Sequence, residues 1–342
     1  MPKFRRIATE EAWSTPEVAE LLRQVSRGLS RSLDLPIVRG IYDNPAGDPP
    51  LLKKLLDTAD MRLRTMDENN VDMHLLALTS PGVQMFTSRE AVRLAEVAND
   101  RLAEVVAAHP DRFAWLASFA PQDPAAAVKE IHRARTELGA NGFMVNSHTD
   151  GEYLDEEKFW PILEALNDLR APLYIHPRAV PEGFDSALRA YGIETAIWGY
   201  GVETGTHAVR LIMSGVFDRF PDLKIVIGHM GEGVPFWLWR MDRMADPHRR
   251  RPAHRPPYRM SEKPSFYFKR NFAITTSGME SVPALKYSIE VLGDENVMWA
   301  IDYPYQDMPD AVQFLDDADI PDESKAKIYS GNAERIFGIA PN

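Results

Sequence analysis

Four residues in this chain have the types and placement to act together: Glu10, His176, His229 and Asp302. Each follows a short apolar run. Ile7-Ala8-Thr9 leads into Glu10, Pro172 to Ile175 into His176, Leu223 to Gly228 into His229, and Val297 to Ile301 into Asp302. Buried strands that end on carboxylates and imidazoles can bring them to one rim of a parallel barrel, where they suit a divalent metal. Asp302 carries the strongest signal, because a carboxylate directly after so apolar a run needs a metal, an imidazole or a proton. His176 precedes Pro177, which forces extended backbone where a loop would begin; a hydrogen-bonded core histidine is an equal reading of that residue alone. Glu10 and Glu11 are neighbours, and strand alternation sends only one of them inward. Taken singly, a Glu at a strand end is more often a solvated cap. Glu232 lies three residues after His229 and can fix the imidazole in one tautomer, or serve simply as a first-turn helix acid. Arg240, in Phe-Trp-Leu-Trp-Arg, can grip a carboxylate with two parallel hydrogen bonds, or pair with Asp242 or another surface acid.

Positioning these residues takes alternating strands and helices. β-rich runs fall near 6–9, 71–78, 113–118, 141–145, 172–175, 223–227, 271–275 and 296–300. Helical patterns lie near 88–108, 124–138, 155–169, 205–218, 232–245, 279–292 and 308–338. Eight strands joined by helices predict a (β/α)8 TIM barrel, an α/β fold, with residues 1–342 as one domain. A doubly wound open sheet is the alternative, but no Gly-rich phosphate loop marks a switch point. Two segments interrupt the rhythm. Residues 14–60 are an insertion after the first strand, helical from Pro16 to Leu33 and Gly/Pro-rich from Gly40 to Pro50. Residues 246–264 form a loop dense in Pro, Arg and His, read as solvated surface or a subunit contact.

Composition narrows the function classes. A net charge of −11 argues against nucleic acid or an anionic membrane as partner. The absence of cysteine excludes disulfides, thiolate metal sites and cysteine nucleophiles. No run approaches the ~18–20 apolar residues of a membrane span. The N-terminus MPKFRRIATEEAW has no apolar core of a signal peptide, so a cytoplasmic protein is the expectation.

The segments around the four residues also carry a resemblance. Ile7 to Ala12, Leu76 to Gln84, Asn146-Ser147-His148, Tyr174 to Pro177, Gly201 to Gly205, Gly228 to Glu232 and Asp302 to Gln306 resemble the amidohydrolase superfamily. Within it they are similar to the metal-dependent, non-oxidative decarboxylases of hydroxybenzoates, most strongly the 5-carboxyvanillate branch. The resemblance implies one divalent metal on Glu10, His176 and Asp302, with His229 beside it and Glu232 orienting His229. Hydrolytic members usually carry a His-x-His pair where this chain has Glu10 and Ala12, which favours a mononuclear decarboxylase over a binuclear hydrolase. Mn²⁺ is the expected metal, with Mg²⁺ and Zn²⁺ also compatible with such ligands. Asp302, His229 and Glu232 are the expected catalytic groups. Arg240, Tyr42, Thr79, Tyr200 and Tyr305 are expected around a small aromatic acid. The stretch from Asp43 to Pro50 is shorter than in the 5-carboxyvanillate branch and holds no arginine, which leaves the particular acid open. The family also implies a homodimer or homotetramer. A metal-dependent lactone or amide hydrolase on the same barrel is the competing reading, and a non-catalytic binding barrel a third.

Overall fold

A computed structural model describes residues 4–28, 32–44, 46–246 and 258–341. The apolar runs form eight parallel strands: β1 Ile7–Trp13, β2 Met73–Leu78, β3 Phe113–Ser118, β4 Gly142–Asn146, β5 Leu173–His176, β6 Ile225–Ile227, β7 Phe272–Thr275 and β8 Val297–Met298. They pair in sequence order from β1 to β8. Backbone bonds join the last segment to the first: Thr9 N–H to Trp299 O (3.2 Å), Asp302 N–H to Glu10 O (3.1 Å) and Ala12 N–H to Tyr303 O (2.7 Å). The sheet is thus a (β/α)8 TIM barrel.

Alternation along each strand divides two cores. Leu75, Leu116, Tyr174, Val226, Ala273 and Met298 fill the barrel interior. Trp115, Phe143, Leu173, Ile175, Ile227 and Trp299 face the surrounding helices. Both faces are buried, as an all-parallel sheet requires. In β5 this puts Tyr174 and His176 on the same inner face.

Three elements depart from the sequence reading. β1 runs through Glu10 and Glu11 to Trp13, and its pairing with β2 shifts register between Ala8 and Glu11. The helix expected from 205 begins at Gly199 and ends at Met213, followed by a short helix Val216–Arg219. The helix expected over 308–338 is interrupted after Asp317, where Pro321 precedes the next helix, Asp322–Ala326. The insertion contains helices Pro16–Arg27, Leu35–Tyr42 and Pro50–Leu56. Thr15 caps the first, accepting the Val18 N–H at 3.0 Å. Most of the 246–264 loop lies outside the described residues.

Candidate metal centre

Glu10 from β1, His176 from β5 and Asp302 after β8 meet at the C-terminal rim of the barrel. One donor atom from each lies within 4.8 Å of the others. Two details fit the set to a cation. Glu10 Oε2 accepts from Thr275 Oγ1 (3.0 Å) and, in short bonds, from Tyr174 Oη and Ser277 Oγ. Its Oε1 is buried with no hydrogen-bond partner and stands 3.4 Å from His176 Nε2. Three hydroxyls therefore orient the carboxylate and leave one oxygen free to coordinate. His176 Nδ1–H donates to Pro177 O at 2.7 Å, which directs the Nε2 lone pair at the same point. Burial lowers the His176 pKa, so the ring is neutral and able to ligate. The pairing also requires Gly228, where a Cβ would come 2.8 Å from Glu10 Oε2.

His229 stands beside this set, its Nε2 4.0 Å from Glu10 Oε1. Its Nδ1 bonds Glu232 Oε1 at 2.7 Å. The turn that brings them together holds His229, Met230 and Glu232 at positive φ (50°, 56° and 52°). Burial disfavours a charged imidazole here. The carboxylates of Glu232, Glu10 and Asp302 outweigh it and push His229 up to about 10. Burial, reinforced by Glu10, raises the Asp302 carboxyl well above its usual range.

Thr79 lines the pocket around the three donors, and its Oγ1 meets the Tyr305 hydroxyl at 2.7 Å. Burial raises the Tyr305 phenol pKa, with further contributions from nearby Tyr42, Asp302 and Tyr200. Tyr42 is buried with its hydroxyl unpartnered, and burial pushes it up to about 12. The structure therefore groups Tyr42, Thr79, Tyr200 and Tyr305 and sets Arg240 apart. Arg240 is exposed on the helix Val234–Ala245 and does not line the pocket, because its helix turns Leu238 rather than Arg240 toward the core. The alternative salt bridge to Asp242 is also absent among the described residues. Asp242 instead accepts from the Ser265 N–H (2.9 Å) and Oγ (2.6 Å).

A cavity of about 360 Å³ opens on the same face, lined by Asp34, Gln84, His148 and Arg178 among others. These polar groups are largely spent on one another. Arg178 is buried against Asp34, which also accepts the Ala179 N–H at 3.0 Å, so this cation ties the insertion to the barrel. The three donors lie in a separate, smaller pocket. Glu11, Tyr174, Thr275 and Ser277 were not singled out from sequence as site residues. The spacing of Tyr174, two before His176, marks the first hydroxyl. Gly201 and Gly205 owe their identity to close approach, since a Cβ on either would lie 2.9 Å from Glu232 atoms. Near the end of β4, Ser147 bonds Glu203 at 3.0 Å and meets His207 Nδ1 at 3.1 Å, with all three buried.

A family model described as amidohydrolase matches residues 46–339. The chain belongs to the amidohydrolase family. Relatives similar to it there include decarboxylases, which favours a carbon–carbon lyase over the hydrolase reading. It is 38% identical over 304 residues to a γ-resorcylate decarboxylase of Rhodococcus jostii (strain RHA1), covering 84% of this chain and 90% of that one. The crystal structure of a 5-carboxyvanillate decarboxylase from Sphingomonas paucimobilis superposes with a TM-score of 0.94 at 55% identity, covering 99% and 100% of the two chains. The 5-carboxyvanillate decarboxylase of Novosphingobium aromaticivorans DSM 12444 superposes with a TM-score of 0.93 at 40% identity, covering 98% and 96%. That structure holds manganese and 4-hydroxy-3-methoxy-5-nitrobenzoic acid.

Proposed function

We propose that this chain releases CO₂ from an ortho-hydroxybenzoic acid, 5-carboxyvanillate or a close analogue, at a divalent metal held by Glu10, His176 and Asp302. The observation that carries this reading is the free, buried Oε1 of Glu10, aimed with His176 Nε2 and the Asp302 carboxylate at one point. Manganese in a similar structure supports Mn²⁺ as the metal. When bound, the metal supplies positive charge that favours the ionised ortho oxygen and orients the acid.

Direct loss of CO₂ from an aromatic ring would leave a carbanion in the ring plane, which the π-system cannot stabilise. Protonation of the carboxyl-bearing carbon avoids this: the ionised ortho oxygen gives electrons to the ring and becomes a ketone as that carbon takes the proton, and the ketone takes the C–C bonding pair back as CO₂ leaves and aromaticity returns. In our reading Asp302 delivers that proton to the ring carbon. His229, charged and held by Glu232, stabilises the anion and exchanges the proton. Thr79 and Tyr305 orient the ring, with Tyr42 and Tyr200 beside them.

We further infer that residues 1–342 act as one barrel unit and that two or more copies associate. Phe236 and Trp239 are 72% and 75% exposed on the helix that carries Arg240. Contiguous exposed aromatics of this size support self-association. On that helix, Arg240 can serve a bound acid only across the boundary between two copies. No helix among the described residues is long and apolar enough to cross a membrane; a cytoplasmic location is inferred from composition alone. A screen of metal-replete protein for CO₂ release from 5-carboxyvanillate, 2,6-dihydroxybenzoate, 2,3-dihydroxybenzoate and salicylate tests the activity. Failure on all four, with ring opening of a lactone instead, would favour the hydrolase.

A further inference from the structure

Asp302 occupies backbone that side chains avoid. Its φ is +73°, in the left-handed region. Such a conformation is costly for a non-glycine residue and persists only where the surroundings impose it. The surroundings here combine backbone bonds, among them the Tyr305 N–H (2.8 Å) and Gln306 N–H (3.0 Å) to Asp302 O, with one side chain. Glu11 Oε1 accepts the Ile301 N–H at 3.0 Å, and Glu11 Oε2 accepts the Tyr303 N–H at 3.0 Å. The two oxygens of a single carboxylate thus hold the N–H groups of the residues on either side of Asp302. The adjoining backbone completes the frame through Asp302 N–H to Glu10 O and Ala12 N–H to Tyr303 O.

Glu11 can do this because of where β1 places it. Glu10 points into the barrel, and Glu11 points to the opposite face, which is covered by the insertion and the helix Asp60–Glu68. Glu11 is 1% exposed. A carboxylate buried so completely needs compensation. The guanidinium of Arg62, also fully buried, lies near it, stacks 4.7 Å from the Tyr303 ring and donates to Ala12 O at 2.7 Å. His74 Nδ1 is 4.0 Å from Glu11 Oε2, outside hydrogen-bond range. Both Glu11 oxygens therefore go to the N–H groups of the two residues flanking Asp302; burial pushes this carboxyl well above its usual range, and Arg62 acts against that shift.

We propose that Glu11 is a positioning residue whose carboxylate clamps the peptides on both sides of Asp302 and so fixes the backbone from which Asp302 reaches Glu10 and His176. The proposal rests on the reading of Asp302 as a working group of the site. It assigns a role to the second residue of the Glu-Glu pair, whose hydrogen bonds go to backbone N–H groups beside Asp302.

The test compares Glu11→Gln, Glu11→Asp and Asp302→Asn, each loaded with Mn²⁺. Gln keeps one acceptor but turns an NH₂ group against the other N–H. Asp keeps the charge but is one methylene too short to reach both. Positioning requires that both Glu11 variants lose kcat by roughly 30- to 100-fold, the scale of sub-ångström misplacement, with KM changed less than about threefold. The bound Mn²⁺ should also show an altered electron paramagnetic resonance spectrum. If Glu11 only balances the charge of Arg62, Glu11→Asp restores wild-type kcat and spectrum, and the clamp is refuted. Hydrogen exchange on the wild-type protein needs no variant to fold. The clamp predicts that the Ile301 and Tyr303 amides exchange slowly with and without Mn²⁺. Slow exchange only after Mn²⁺ is added would show that the metal, not Glu11, holds the turn. Asp302→Asn with wild-type turnover would remove the underlying reading of Asp302, while the exchange of these amides still decides the clamp.

Discussion

A single methyl group at Gly201 should separate stability from catalysis. Gly201 is in the first turn of the helix Gly199–Met213, and a Cβ there would sit 2.9 Å from Glu232 Oε2, about half an ångström inside ordinary contact, which begins at 3.4 Å. The backbone of Gly201 has no positive φ, so alanine fits its conformation. Alanine should even favour the helix, by up to about 1 kcal/mol. The Glu232 carboxylate must give way instead, and its other oxygen is bonded to His229 Nδ1 at 2.7 Å. A shift of that size rotates the carboxylate and carries the imidazole with it. Misplacement by ~1 Å costs about 100-fold, so roughly half of that should lower kcat about tenfold. Thermal unfolding and steady-state kinetics on Gly201→Ala provide the assay. The expected result is an unfolding temperature within a few degrees of wild type and kcat reduced about tenfold. Wild-type kcat would show that Glu232 does not set the position of His229 during turnover, and the dyad would lose its place in the mechanism.

Other predictions address the remaining parts of the site. His176→Ala should reduce bound manganese from one ion per chain to near zero, measured by elemental analysis, and abolish turnover. Asp302→Asn should keep metal but lose turnover, because an amide has no proton to give; an active variant would remove Asp302 as the acid. Arg240→Met should lower kcat/KM on 5-carboxyvanillate by roughly two to three orders of magnitude if it grips a second carboxylate, and leave salicylate almost unaffected. Glu203 gives a pH signature in stability. Burial raises its carboxyl from 4.5 to about 7, so the folded chain binds more protons than the unfolded one between those values. Its contribution is therefore fully present below the unfolded value, is lost as pH rises to about 7 and is flat beyond, a decline of roughly 3 kcal/mol at most. Glu203→Gln, which can still accept from Ser147, should flatten that part of the unfolding profile; an unchanged slope would assign the decline to another group.

Several features were legible in the sequence because they follow local rules. Each barrel strand except β1 is an apolar run, and a run that stops at His176 or Asp302 marks the rim. β1 was harder to read because it continues through two carboxylates, and polar residues inside a strand look like its end. Glu11 is the instructive case. Alternation correctly sends it away from Glu10, but the face it reaches is covered by helices rather than by water. The glycines at 201 and 205 admit Glu232 at close range, a purpose that only the folded chain reveals. The spacing of Tyr174 before His176 is a local signal, but the hydroxyls of Thr275 and Ser277 carry none, because the purpose all three share exists only where β5 and β7 converge on Glu10. Arg240 has the right type and neighbours for an anion site, yet helix phase turns it outward.

The central claim is proton delivery to ring carbon at a metal site built from Glu10, His176 and Asp302. Turnover of 5-carboxyvanillate or 2,6-dihydroxybenzoate by manganese-loaded protein in D₂O, followed by nuclear magnetic resonance, tests it most directly. The account predicts CO₂ release together with a product carrying one deuterium at the carbon that bore the carboxylate. Release of CO₂ without deuterium at that carbon, or no release from any ortho-hydroxybenzoate by metal-replete protein, would contradict it.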